Sequence, residues 1–304
     1  MVWTLAAVFE SPFGADLTFK GGTSLSKAYR IIERFSEDID LTVDVRKLIP
    51  GLAVESDALP ANRSQATNWS KAVRENLPRW IDAHVRPWLE QSLSKSGLNA
   101  EVAVAGNEQE QLCLRYPALS EGTGYVAPVV VLEFGGRSTG EPHQMMPVDC
   151  DMQGHVENVT FPSARPQVMS VSRTFWEKAT AAHVYCAQAR LRGERFARHW
   201  HDLAAIAATE HFSTAIAARD VAAAVSAHKS CFFVEKDARG VVVDYHRAIG
   251  GGLQIVPEGA ALEALKSDYA AMVDDEVMLG RALSFDDLMQ ACAELQQRAN
   301  RPAA

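Results

Sequence analysis

The chain has 304 residues, 47% hydrophobic and 22% charged, a composition that excludes wholesale disorder. Its net charge of −8 has the wrong sign for a protein that coats nucleic acid non-specifically, although a local basic groove is compatible with an acidic body. The five cysteines, Cys113, Cys150, Cys186, Cys231 and Cys292, are scattered, odd in number and form no CxxC pair, which argues against a zinc ribbon or a disulfide framework. No apolar run reaches the length of a membrane span, and Met1-Val2-Trp3-Thr4 carries no basic leader. A cytoplasmic protein without membrane association is the expectation.

In chain order, Leu25, Ala28, Ile32 and Phe35 recur at helical spacing and predict a helix over Ser24–Phe35, directly after Gly21-Gly22. Asp38 to Val43 alternates polar and apolar residues and predicts a half-buried strand. A long helix is expected from Ser64 to Ser94, kinked or split at Pro78 and Pro87. Its Trp69, Trp80 and Trp88 read as packing residues rather than base-stacking platforms. Strands are expected near Glu101–Val104, Leu112–Tyr116 and Pro128–Phe134, and residues 138–168 read as a loose, proline-bearing boundary. Beyond it come helices at Arg173–Arg190, Arg198–Thr209, Ala215–Ala227, Glu258–Val273 and Ser284–Arg298, with a β-like piece at Val241–Tyr245. The fold class expected is α+β: a mixed sheet with helices over residues 1–165, then a mostly helical region over 166–304.

The chemistry concentrates near the start. In Lys20-Gly21-Gly22-Thr23-Ser24-Leu25-Ser26-Lys27, two glycines let the backbone approach a ligand, and the following helix turns free N–H groups and its positive end toward it. Gly21, Gly22, Thr23 and Ser24 are therefore candidate phosphate contacts. Asp38 and Asp40 are two residues apart on one strand, so their carboxylates share a face and can hold a divalent cation on a triphosphate. A glycine turn, one helix and a DxD strand form a single unit. Glu133, an acid on an otherwise apolar strand, is the candidate third metal ligand, with an ion pair to Arg137 as the competing reading. Asp149 and Asp151 form a second DxD, but without strand pattern they read as surface.

The run Phe19–Lys27 followed by Arg34-Phe35-Ser36-Glu37-Asp38-Ile39-Asp40-Leu41 resembles the AbiEii/AbiGii toxin family, which includes the MenT toxins. Arg173-Thr174-Phe175-Trp176-Glu177-Lys178 resembles its lysine motif, and Arg198-His199-Trp200-His201-Asp202-Leu203 its late Asp-Leu motif. The four motifs span residues 19–203 in order; the tail beyond about 215 matches loosely. The resemblance implies a polymerase β-like nucleotidyltransferase core. It implies transfer of a nucleotide from an NTP to RNA, above all the tRNA 3′ end, with Mg²⁺ (or Mn²⁺) as cofactor and a separate antitoxin protein as partner. It implies that the helical region contributes Lys178, on the NTP phosphates, and Asp202, as an active-site acid that positions the acceptor or activates its hydroxyl. Lys27 and Arg137 are further candidate phosphate contacts, and Arg190, Arg192, Arg195 and Arg198 form a basic stretch suited to RNA. Zinc on His199, His201 and Asp202 lacks further His or Cys support. Two rivals stay open: nucleotidylation of a protein, such as AMP transfer, and a non-catalytic nucleotide- or partner-binding module.

Overall fold

The computed structural model describes residues 1–34, 38–54, 59–118, 127–190, 195–274 and 282–301. Phe35, Ser36 and Glu37 of the first motif and Arg192 of the basic stretch lie outside them. The chain divides into two compact units: Met1–Ala28 with Glu37–Met169, and Tyr29–Ser36 with Ser170–Ala304.

The first unit opens with a helix that the sequence reading did not anticipate, α1 (Val2–Phe9), and a short strand, β1 (Leu17–Lys20). Then follow α2 (Gly21–Lys27), β2 (Asp38–Val43), α3 (Val45–Leu48) and α4 (Arg63–Trp80). Pro78 sits inside α4, a π turn covers Ile81–Val85, and α5 (Arg86–Ser96) restarts with Pro87 in its first turn, so the expected kinks fall where the prolines put them. Strands β3 (Glu101–Ala105), β4 (Gln111–Arg115) and β5 (Val129–Gly135) come next. The segment expected as a loose boundary contains four short strands, β6 (His143–Met145), β7 (Val148–Asp149), β8 (Ser163–Ala164) and β9 (Gln167–Met169). They are too short for any period to show.

Seven strands make one mixed sheet in the order β3-β4-β5-β2-β1-β9-β6, with β2 antiparallel to β1 and parallel to β5. Along β2 the alternation is decisive: Ile39 and Leu41 are fully buried while Asp38 and Asp40 keep partial access to solvent. Trp69 is buried, and Trp80 and Trp88 are half-buried; Trp80 and Trp88 pack edge-on against Phe13, and Trp88 Nε1 donates to the Ala7 carbonyl at 2.7 Å.

The expected helix over Ser24–Phe35 is shorter and earlier than its pattern. It runs Gly21–Lys27, and Arg30 takes a left-handed φ of 54°. Ile32 and Arg34 are buried within the second unit, so tertiary packing, not helical periodicity, sets the shape of this stretch.

The second unit is helical: α6 (Val171–Gln188), α7 (Arg198–Ala207), α8 (His211–Ala217), α9 (Arg219–Phe232), α10 (Tyr245–Arg247), α11 (Gly259–Asp274) and α12 (Phe285–Ala299). The single helix expected at Ala215–Ala227 is two, broken at Ala218, whose ψ of 70° leaves the helical region. An alanine-rich stretch carries no sequence mark of such a break. The β-like piece at Val241–Tyr245 shrinks to one bridge, Lys236 to Val242, because Asp244 caps α10 by accepting from Arg247 N at 3.0 Å. Phe175, Trp176, Trp200, Leu203, Phe212 and Cys292 form a fully buried core, where Trp176 Nε1 donates to the Ala215 carbonyl at 2.9 Å. Among the described residues no helix is long and apolar enough to cross a membrane. The mixed sheet with helices, followed by a helical region, is the class read from the sequence.

Candidate active site

Within the first unit the sheet assembles an acidic face. The register sets Asp40 between Lys20 on β1 and Glu133 on β5, with Gln111 of β4 beyond Glu133. Residues in one cross-strand row share a face at a spacing of about 5 Å, and Asp38 joins them two positions along β2. Three carboxylates and one lysine thus crowd one patch. Loss of solvation, then the negative charges of Asp40 and Asp38, raise the Glu133 carboxyl pKa above the ordinary range, and Lys20 opposes the shift. Glu133 as a residue is exposed, on the side of the sheet that it shares with Asp40.

Gly21 is fixed by this face. Its φ is +78°, and a Cβ there would stand 2.0 Å from Asp40 Oδ2, so a side chain is refused on both counts. Thr23 Oγ1 donates to the Asp38 carbonyl at 2.5 Å and Ser24 Oγ to the Gly21 carbonyl at 2.9 Å. Both hydroxyls are buried and their protons point inward. They fasten the glycine turn to the DxD strand. Lys27 pairs with the exposed Asp151, the surface aspartate of the second DxD, and Asp149 lies half-exposed on β7. Arg137 lies half-buried just past β5.

Asp38, Asp40 and Glu133 offer only hard oxygen donors, the set that suits Mg²⁺ or Mn²⁺. Among the described residues no three His, Cys, Asp or Glu side chains already close round one point as a metal cage. Carboxylates that repel one another and raise a pKa are nonetheless a fit for a dication, which turns that repulsion into attraction. Among the described residues, His199, His201 and Asp202 form no such group either.

Within the second unit a different cluster forms. Arg34 Nε donates to Asp202 Oδ1 at 2.8 Å and Arg34 Nη2 to Oδ2 at 2.9 Å. Lys178 Nζ lies 2.8 Å from Oδ2, and His201 Nδ1 3.2 Å from Oδ1. Asp202 is fully buried, Arg34 is 5% exposed and Lys178 8%. Burial alone would raise the Asp202 pKa, but the charges of Lys178 and Arg34 outweigh it and hold the carboxyl well below its ordinary range. His199, one turn away on α7, is pushed well below the ordinary histidine range by burial and by Lys178 and Arg198, and so is neutral.

Lys20 and Arg34 are the functional candidates that the sequence reading passed over. Both stand inside quoted motifs. Lys20 was legible as the residue before the glycines on a strand; Arg34 had no local signal, because its partner is 168 residues away.

The family described as the nucleotidyl transferase AbiEii toxin, of a type IV toxin–antitoxin system, matches residues 3–291. No curated protein matches the sequence. Among solved structures, MenT4, a nucleotidyltransferase toxin from Mycobacterium tuberculosis H37Rv, is similar at 16% identity, covering 100% of this chain and 82% of that one with a TM-score of 0.49. A match across nearly the whole length places the chain in the AbiEii nucleotidyltransferase toxin family, enzymes that act on an NTP with a divalent cation and are partnered by an antitoxin.

Proposed function

We propose that this toxin transfers a nucleotide from an NTP to the 3′ end of an RNA, above all tRNA, and so blocks translation in the cytoplasm. The observation that carries the reading is the acidic row: Asp38, Asp40 and Glu133 on one sheet face, with Gly21 pressed against Asp40. Asp38, Asp40 and Glu133 would hold Mg²⁺ or Mn²⁺, which would supply positive charge against the triphosphate and the acceptor oxygen.

Gly21 and Gly22 let the triphosphate approach the backbone, with Thr23 and Ser24 keeping the turn in place. Lys20 stands at the edge of the same face and meets negative charge that the carboxylates do not balance. The acceptor oxygen attacks the α-phosphorus and its proton passes to solvent water, the α–β phosphoanhydride bond breaks, and pyrophosphate departs. The protein orients and neutralises rather than reacting covalently. Lys178 and Asp202 of the helical region serve the same reaction: Lys178 offers its ammonium to a substrate phosphate. Lys27 and Arg137 are secondary phosphate contacts, Lys27 after exchanging Asp151 for phosphate. The cognate antitoxin is a separate protein.

The test is incorporation of label from each α-labelled NTP into total bacterial RNA, with Asp38→Ala/Asp40→Ala as control. Mg²⁺-dependent label in a tRNA-sized band, reduced at least about 10³-fold in the control, is expected. Label in protein bands instead would replace RNA with a protein acceptor. No label in either would favour a binding module.

A further inference from the structure

We propose that Arg34 is a positioning residue of the transfer reaction: it locks the Asp202 carboxylate, and that carboxylate aims the Lys178 ammonium at a substrate phosphate. The inference rests on the nucleotidyl-transfer reading above and names a residue that reading does not need.

A carboxylate has about four lone-pair positions. In Asp202 each oxygen meets two donors, Arg34 Nε and His201 Nδ1 at Oδ1, Arg34 Nη2 and Lys178 Nζ at Oδ2. With no exposure and its acceptor positions filled, Asp202 is built to hold other groups and has nothing left to offer an acceptor hydroxyl. Arg34 is the strongest of the three holds, because its guanidinium grips side-on with two parallel bonds, a geometry that a lysine cannot reproduce. Fixing both oxygens fixes the direction from which Lys178 must approach.

Lys178 is the member of this cluster that the transfer reading places on a substrate phosphate, and its ammonium is held by the same Asp202 Oδ2 that Arg34 Nη2 grips. Arg34 is too deeply buried beside Asp202 to meet a substrate itself, so its effect on the reaction passes through the carboxylate to Lys178.

The experiment compares Arg34→Met, Arg34→Lys, Arg34→Ala and Lys178→Met by single-turnover transfer from α-labelled NTP to total RNA, across about pH 5.5–9. Arg34→Met is expected to lower kcat about 10²-fold with KM within about threefold, the mark of an interaction felt in the transition state. Its acid limb should move up by about one pH unit or more, because Asp202 then keeps only Lys178 as a strong cationic partner. Guanidinium at tens of millimolar should restore Arg34→Ala about tenfold where methylammonium does not, since only the planar fork fits. Arg34→Lys should stay closer to Arg34→Met than to the parent. A folded Arg34→Met with unchanged kcat and acid limb, while Lys178→Met is inactive, overturns the proposal. So does a loss of activity without pH shift or rescue.

A second readout needs no activity, and so separates this proposal from the function it rests on. In ¹⁵N-lysine-labelled protein, the Lys178 ammonium signal, assigned by its loss in Lys178→Met, should exchange slowly with water and should exchange about tenfold faster in Arg34→Met. An unchanged exchange rate overturns the positioning role even if no nucleotide is ever transferred. A parent enzyme that labels nothing, with the exchange difference present, leaves Arg34 as the keeper of Lys178 and overturns the transfer reading instead.

Discussion

The two charged clusters are opposites in construction. On the sheet of the first unit, Asp38, Asp40 and Glu133 crowd like charges at a surface that water reaches, with Lys20 as partial relief. Among the helices of the second unit, Asp202 sits dry between Arg34 and Lys178 with both oxygens engaged. The first is a set of like charges that a cation would relieve; the second already holds its opposite charges together. Stability and function should therefore separate differently in the two places.

The sharpest break of the comparison is stability. Asp202→Ala leaves two buried cations without their anion and should cost about 3–5 kcal/mol in denaturant unfolding. Asp38→Asn should cost nothing measurable or stabilise by about 0.5 kcal/mol, since it removes repulsion at a surface. Equal losses in both would erase the distinction. Next in size is Gly21→Ala. Its Cβ would displace the Asp40 carboxylate and occupy a left-handed φ, for an expected loss of about 1–3 kcal/mol by thermal melting and near-complete loss of transfer. Retained transfer would show that Asp40 need not stand where it does.

The smallest effect is in pH, and its sign differs between clusters. Glu133 has a raised pKa, so in metal-free protein it contributes destabilisation that grows as pH rises from its ordinary value of 4.5 through its folded value. Asp202 has a depressed pKa, so its contribution is present above 3.8 and is lost as pH falls toward the folded value. Glu133→Gln should flatten the high side of the stability profile, and saturating Mg²⁺ should raise the midpoint of the parent but not of Asp38→Asn/Asp40→Asn, by about 1–3 kcal/mol at [Mg²⁺] well above its Kd. A Glu133→Gln variant whose profile matches the parent would place Glu133 outside the acidic cluster.

How much of this was legible in the sequence follows from distance along the chain. The DxD face could be read because i and i+2 on a strand always share a side, and Glu133 stood out as an acid among valines. The long helices carried their period and their prolines. The Arg34–Asp202 bond could not be read, because 168 residues separate partners that no local rule connects. For the same reason the helical spacing of Leu25, Ala28, Ile32 and Phe35 overstates the helix from Ser24: Ile32 belongs to the core of the other unit. Thr23 and Ser24 were recognised as part of the cradle, but which way a hydroxyl turns depends on carbonyls such as that of Asp38, which only the fold brings near.

That long reach also puts a clock on the toxin. The chain leaves the first unit after Ala28, lends Tyr29–Ser36 to the second, and resumes the first at Glu37. On a ribosome making roughly 5–20 residues per second, Arg34 waits about ten to thirty seconds for Asp202 to be synthesised. Until then a nascent chain can own the whole DxD face and still lack the clasp that completes the helical unit. A ribosome halted anywhere before codon 202 releases a fragment whose Arg34 has no such carboxylate to grip.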